Sequence, residues 1–197
     1  MNFKKIEKEI SKKYVSCFDY LKKSKNFIWF SIGLFFLFTL IGFFVPLPSD
    51  IQNEIIEYFR KLVLETQGFN FWQMFEFLFT NNSVATFVGL FSGVLFGIIP
   101  FFNIVTNGFV LGFASSLSVL ENGLFSLWRI FPHGIFELPA VFISLGLGIK
   151  LGSFVFLKNP WIKFREFFIN SINVYIFIIL PLLIIAGILE SILIVFL

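Results

Sequence analysis

The sequence is poor in charged residues and in the residue types that most often carry catalysis. Only 14% of its 197 residues are charged, whereas soluble domains average about 25%. It contains one cysteine, Cys17, and one histidine, His133, so an intramolecular disulfide is excluded and we expect no zinc site within one chain. A water-soluble fold of this length has no interior for a 57% hydrophobic composition. We therefore expect a protein whose solvent is lipid.

Short catalytic motifs are also missing. The sequence has no His-Glu-x-x-His pair, no glycine-rich phosphate loop with a lysine, and no Gly-x-Ser-x-Gly elbow. We expect a non-enzymatic protein with no metal ion and no cofactor, and without ATPase activity in this chain. The net charge of +3 does not predict a nucleic-acid partner, because the N-terminal lysines directly precede an apolar block and are typical of a topology signal.

The sequence contains several long apolar runs and has 33 phenylalanines. Such runs can cross a hydrocarbon core of about 30 Å, and they predict an all-α, polytopic helical membrane protein with about five transmembrane helices plus amphipathic interfacial helices. We predict a basic amphipathic cytoplasmic segment over residues 1–26 and a transmembrane helical domain over 27–197. The predicted spans are 27–45, 84–100, 104–120, 133–157 and 172–196, with an extracytoplasmic interfacial segment over 46–82.

The interfacial segment begins where prolines stop the first span. Pro46 and Pro48 cannot continue a helix, and Ser49 with Gln52 three residues later has the form of a capping box. Apolar residues then recur at helical spacing opposite charged ones, which predicts an interfacial helix. We expect a second, short aromatic piece to follow and to end at the Asn81-Asn82 pair.

Orientation follows from the distribution of lysine and arginine. With the N-terminus in the cytoplasm and five crossings, most basic residues lie inside, as the positive-inside rule prefers. We therefore expect a multi-pass protein of the cell membrane with an extracytoplasmic C-terminus. The cytoplasmic lysines are expected to contact anionic lipids. The sequence leaves open whether the second and third spans cross fully or form a re-entrant pair.

Glycines recur at four-residue intervals in three of the predicted spans. Small residues at this spacing let helices approach closely in lipid, so we expect these faces to pack helices and to support a homo-oligomer. The glycines concerned are Gly89, Gly93, Gly97, Gly108, Gly112, Gly148 and Gly152.

Ionisable residues inside a span are costly, by roughly 2.5 to 3.5 kcal/mol on insertion scales. His133 and Glu137 lie four residues apart and share a helix face, between two prolines, and Glu190 lies near the end of the last span. The pair has two interpretations, a hydrogen-bonded pair that orients helices or a functional polar site. The full candidate cluster is His133, Glu137, Glu190, Arg129, Asn107, Asn81 and Asn82, with Asn107 expected nearer the cytoplasmic face.

Three stretches together resemble the stage II sporulation protein M family of small membrane proteins. They are the Pro132-His133-Gly134-Ile135-Phe136-Glu137 element, the Asn107-Gly108 step followed by Gly112, and the Leu180-Pro181-Leu182-Leu183 run leading to Glu190. The named representative of the family acts in spore-forming bacteria in a membrane complex that recruits peptidoglycan-degrading partners. The resemblance implies His133, Gly134, Glu137, Asn107 and Glu190 as family-type positions and assigns none of them a reaction.

Two functions remain open at this point. The first is a non-enzymatic scaffold or assembly component that joins other envelope proteins. The second is a small transporter or permease component in which His133, Glu137 and Glu190 handle protons or line a polar path.

Overall fold

The computed structural model describes residues 3–129 and 131–196, with side chains from 6–127 and 134–196. This described part is helical and contains no strand. The α-helices are α1 (Phe3–Phe44), α2 (Ser49–Thr66), α3 (Phe71–Phe91), α4 (Ile98–Asn122), α5 (Phe131–Gly152), α6 (Pro160–Val174) and α7 (Leu180–Phe196).

Five helical stretches are long and apolar enough to cross a membrane, which confirms the predicted all-α polytopic fold. They are Ile6–Phe44, Phe71–Val94, Ile98–Asn122, Gly134–Phe156 and Pro160–Phe196. The second and third stretches have 24 and 25 residues, each enough for a full crossing. We call the end of the bundle where α5 begins the Glu137 end and the opposite end the Lys150 end.

The first helix is longer than the sequence pattern indicates. The boundary predicted at residue 26 does not coincide with a helix end, because α1 continues unbroken for 42 residues, about 60 Å at the usual rise per residue. Cys17 and Tyr20 are buried, at 2% and 5% exposure, in a core cluster with residues of α5, α6 and α7. The basic segment is therefore packed against the bundle as part of α1.

The prediction of a helix end at Asn81-Asn82 is wrong, since α3 runs through both residues. The N-cap residue of α3 is Asn70. Its side chain accepts a hydrogen bond from the Gln73 backbone N–H at 3.1 Å, and the Gln73 side chain accepts one from the Asn70 backbone N–H at 3.0 Å. This capping box fixes the start of α3. The aromatic piece and the second predicted span are one helix.

The capping box predicted at Ser49 does not form. Pro48 is the N-cap of α2, and no side chain makes a capping hydrogen bond there. Gln52 donates its side-chain amide instead to the carbonyl of Leu47 at 2.7 Å. Because Ser49 is already inside the helix, its hydroxyl cannot serve as the cap.

The turn between α3 and α4 comes earlier than the predicted break at residue 100. A 3-10 turn over Ser92–Val94 leads to Phe96 and Gly97, both with positive φ, and α4 starts at Ile98. Pro100 lies buried in the first turn of α4, where a missing N–H leaves no hydrogen bond unmade.

Helices α6 and α7 are joined by a π-helical turn over Tyr175–Ile179. Pro181 follows in the first turn of α7. Its ring would collide with a carbonyl in a regular helix and it has no N–H to donate. The widened turn relieves this conflict and keeps the two helices in one continuous rod.

The glycines of the predicted ladders lie at close helix contacts within the chain. A Cβ on Gly93 would collide with the Gly148 carbonyl, and one on Gly112 would collide with the Thr39 carbonyl. The first contact joins α5 to the turn after α3, and the second joins α4 to α1. Gly108 and Gly152 likewise lie against backbone atoms of neighbouring elements, whereas a Cβ on Gly89 would meet the Leu145 side chain at 2.6 Å and one on Gly97 would lie 3.3 Å from the Ile149 backbone.

Replacing Gly148 with alanine is expected to lower the free energy of unfolding by about 1–3 kcal/mol. Its Cβ would lie 2.7 Å from the Gly89 carbonyl oxygen and 2.8 Å from a Pro100 ring carbon. The control is Gly33→Ala, which meets nothing within 4 Å and is expected to stabilise α1 by up to about 1 kcal/mol. Thermal unfolding in detergent measures both, and equal stability of the two variants would contradict the close-packing account.

Candidate functional site

A polar cavity of about 320 Å³ lies between α3, α4 and α5. Its polar walls are Asn82 and Thr86 from α3, Asn103 and Asn107 from α4, and Glu137 from α5. In each pair the two residues are four apart and share a helix face. The remaining wall is apolar, and several lining residues, Asn107 among them, are exposed, so the five polar side chains form a hydrogen-bonding region in a cleft that opens to the surface of the bundle.

Local hydrogen bonds orient some of these groups and leave others available. Asn107 donates its amide to the Asn103 carbonyl at 2.7 Å, and Thr86 donates to the Asn82 carbonyl at 2.7 Å. Within the described part of the chain, the Glu137 carboxylate and the side chains of Asn82 and Asn103 make no hydrogen bond. Polar groups in an apolar surrounding are stabilised by hydrogen-bonding partners, so these three are available to a solute.

A second cavity, of about 260 Å³, adjoins the first and shares Asn107, Glu137 and Val141 with it. Its other walls include Phe35 of α1 and Phe59 of α2. Glu137 and Asn107 therefore stand between a polar cavity and a more apolar one that reaches α2.

The structure brings three members of the predicted cluster together, since Asn82, Asn107 and Glu137 line one cavity. Asn107 thus faces the same site as Glu137, although the sequence placed it nearer the opposite membrane face. Glu190 is half-buried on α7, within electrostatic range of Glu137.

Other predicted members lie elsewhere or outside the described side chains. Asn81 is exposed on α3 and lines neither cavity. The side chains of Arg129 and His133 lie outside the described residues. Asn103 was not predicted as a member of this site, although its position four residues before Asn107 in an apolar helix indicates that the two share a helix face.

Lys150 makes a second polar site, which the sequence did not predict. Its side chain is only 6% exposed, and its Nζ donates to the Ser24 hydroxyl at 2.7 Å. The same Nζ lies 3.9 Å from the centroid of the Tyr20 ring and 4.9 Å from that of Phe167. One hydroxyl and two aromatic faces surround the ammonium group and stabilise it away from water.

The two sites mark opposite ends of α5, about 20 Å apart along the helix axis. Carboxylate and amide oxygens at the Glu137 end can bind a cation or hydrogen-bond donors. The Lys150 site is occupied by groups of its own chain, which join α1 and α6 to α5. In the described residues, no group of three or more His, Cys, Asp or Glu side chains forms a metal-binding cluster.

Five helices of spanning length in the described part of the chain, with a polar site between them, define a multi-pass membrane protein. The chain belongs to the stage II sporulation protein M family, whose model matches residues 31–193. The matched range contains the Glu137 cavity and Glu190, and the resemblance found in the sequence is confirmed.

The chain is also similar to uncharacterized protein MJ0793 of Methanocaldococcus jannaschii. The two are 37% identical over 124 residues, which cover 62% of this chain and 63% of the relative. No solved structure matches the chain.

The Ser24→Ala variant is expected to lower the free energy of unfolding by about 1.5–3 kcal/mol, the usual contribution of a hydrogen bond to a charged group. The reason is that the buried ammonium of Lys150 loses its hydroxyl partner. In a Lys150→Met background the same change should cost less, because no charge remains. Denaturation of the four forms gives the coupling, with exposed Ser16→Ala as the control. Equal costs in both backgrounds would show that the two residues are not coupled.

Proposed function

We propose that this protein is a small, non-enzymatic transporter or permease component that binds a polar solute at Glu137. The observation that carries the proposal is the convergence of four polar side chains from three helices on one cavity, namely Asn82, Asn103, Asn107 and Glu137. Substrate sites of secondary transporters lie at comparable positions between helices inside the bilayer. In this proposal the protein lies in the cell membrane with its N-terminus in the cytoplasm, so the Glu137 end faces outward.

The chemistry of the site suits reversible binding rather than bond making. A carboxylate can exchange a proton while neighbouring amides donate to and accept from a solute. Glu190 adds a second carboxyl group within electrostatic range of Glu137. Proton binding and solute binding can therefore be linked at this position.

The Glu137→Gln variant tests the role of the carboxylate. We expect wild-type protein in liposomes to react with a carbodiimide at Glu137, faster as the pH falls because only the protonated carboxyl reacts. We also expect a solute gradient to drive proton uptake into the liposomes. A pH-sensitive dye inside the liposomes measures this uptake while amino acids and amines are screened as solutes. Glu137→Gln should lose both signals while remaining folded, since glutamine keeps the shape of the side chain.

The matched control is Glu76→Gln, an exposed glutamate on α3 that lines neither cavity. It should retain the labelling of Glu137 and the coupled flux. Unchanged flux in Glu137→Gln would refute proton handling at this residue.

The scaffold function has a separate observation in its favour. Helix α2 has no buried residue, and it exposes Glu54, Glu57 and Glu65. This polar face can dock envelope proteins if α2 lies on the outer side. The glycine ladders support this function less than the sequence indicated, because their close contacts are made inside one chain and leave those positions no surface for a second copy.

Charge reversal on α2 tests the scaffold function. In a scaffold, Glu54→Lys with Glu57→Lys should release envelope proteins that cross-link to and purify with the wild-type chain, because docking depends on that face. Glu121→Lys, at an exposed position near the end of α4, is the control. Mass spectrometry identifies the captured proteins, and a wild-type chain that purifies as a lone species would argue against the scaffold.

A further inference from the structure

We propose that α2 is a lid over the second cavity beside Glu137, at the Glu137 end of the bundle. The inference rests on the proposed binding function of that site and adds a means of controlling access to it. Its first basis is Phe59, which lines the second cavity together with Val110 and Ala114 of α4. Phe59 is thus the contribution of α2 to the wall of the cavity that contains Glu137.

The other end of α2 reaches the opposite side of the bundle. Leu62, Val63 and Thr66 line a groove of about 740 Å³ together with side chains from the start of α3 and the end of α7. Within two turns, α2 therefore passes from a cavity between α4 and α5 to a groove between α3 and α7. A helix placed in this way lies across the Glu137 end of the bundle, from one groove to the other.

The lid is held weakly compared with the rest of the fold. No residue of α2 is buried. Its side-chain hydrogen bonds are local, from Gln52 to the Leu47 carbonyl, from Ser49 to Asp50, and from Thr66 to its own preceding turn. Within the described residues no α2 side chain makes a hydrogen bond or ion pair to another helix. Apolar contact alone keeps it in place, and such contact can be broken and remade without leaving buried polar groups unsatisfied.

Both ends of α2 have a break in which the backbone can rotate. Residues 46–48 between α1 and α2 are Pro-Leu-Pro, where the two proline rings fix φ and rotation is limited to Leu47 and the ψ angles. At the other end Gly68 has a φ of +82° and a Cβ at this position would meet nothing within 4 Å. Short connections of this kind act as hinges because a few residues absorb the change of direction. Rotation at Gly68, with a smaller change at Leu47, lifts α2 and opens the second cavity beside Glu137.

The labelling rate of an introduced cysteine measures how well α2 covers the second cavity, and it requires no knowledge of the solute. The reporter is Ala114→Cys in a Cys17→Ser background, labelled in liposomes with a membrane-impermeant maleimide and followed by mass spectrometry. Phe59→Ala should speed labelling about tenfold, as expected if the open state rises from about 1% to about 10%. Tyr58→Ala, the adjacent and exposed aromatic on α2, should leave the rate unchanged, and Phe59→Leu should keep most of the protection.

A tethered form supplies the opposite perturbation. Phe59→Cys and Val110→Cys, joined by a short bifunctional maleimide, should slow labelling of Glu137 by a water-soluble carbodiimide, while the same pair left unjoined should not. Equal reporter rates in Phe59→Ala and Tyr58→Ala, or equal Glu137 labelling with and without the tether, would overturn the lid. Neither result depends on transport, so a failed lid leaves the Glu137 site standing, and loss of the solute site leaves the accessibility result intact.

Discussion

Close contact between helix backbones at glycine is the constraint on which this structure depends. Lipid tails are as apolar as the helix surfaces, so burial of apolar side chains gives little attraction between helices and close packing has to supply it. Gly93, in the turn directly after α3, meets Gly148 of α5. The same contact fixes the register of the two helices and so places Asn82 opposite Glu137 at the far end of the pair. Without this approach the polar cavity would have no defined walls.

Much of this architecture could be predicted from the sequence because a membrane imposes simple rules. Apolar runs indicate the spans, and the cost of a carboxyl group in lipid singles out Glu137 before any contact is known. The ends of the helices were harder to predict than the spans. The change from lysine-rich to apolar residues near Phe27 suggested a boundary, yet no residue there interrupts backbone hydrogen bonding, so α1 continues. The Asn81-Asn82 pair likewise suggested an end, but α3 runs through it, with Asn82 on the cavity.

Features that depend on residues far apart in the sequence could not be predicted from it, for a physical reason. Lys150 has the sequence context of a charge near a membrane face, and only the folded chain brings Ser24 and Tyr20 of α1 to it. Asn103 acquires its role in the same way, by facing a carboxyl group on another helix. Local periodicity shows which face of a helix a residue occupies. It does not show which helix covers that face.

The π-helical turn at Tyr175–Ile179 has a further consequence for the last helix. Such a turn is equivalent to one extra residue in a regular helix, and each residue turns the helix by about 100°. Everything after it is therefore rotated relative to α6. Phe167 of α6 packs beside Lys150 while Glu190 of α7 lies within electrostatic range of Glu137, and the inserted residue helps set both directions at once. Deleting one residue here would preserve a straight apolar rod of nearly unchanged length and hydropathy but turn its carboxyl group away from the bundle.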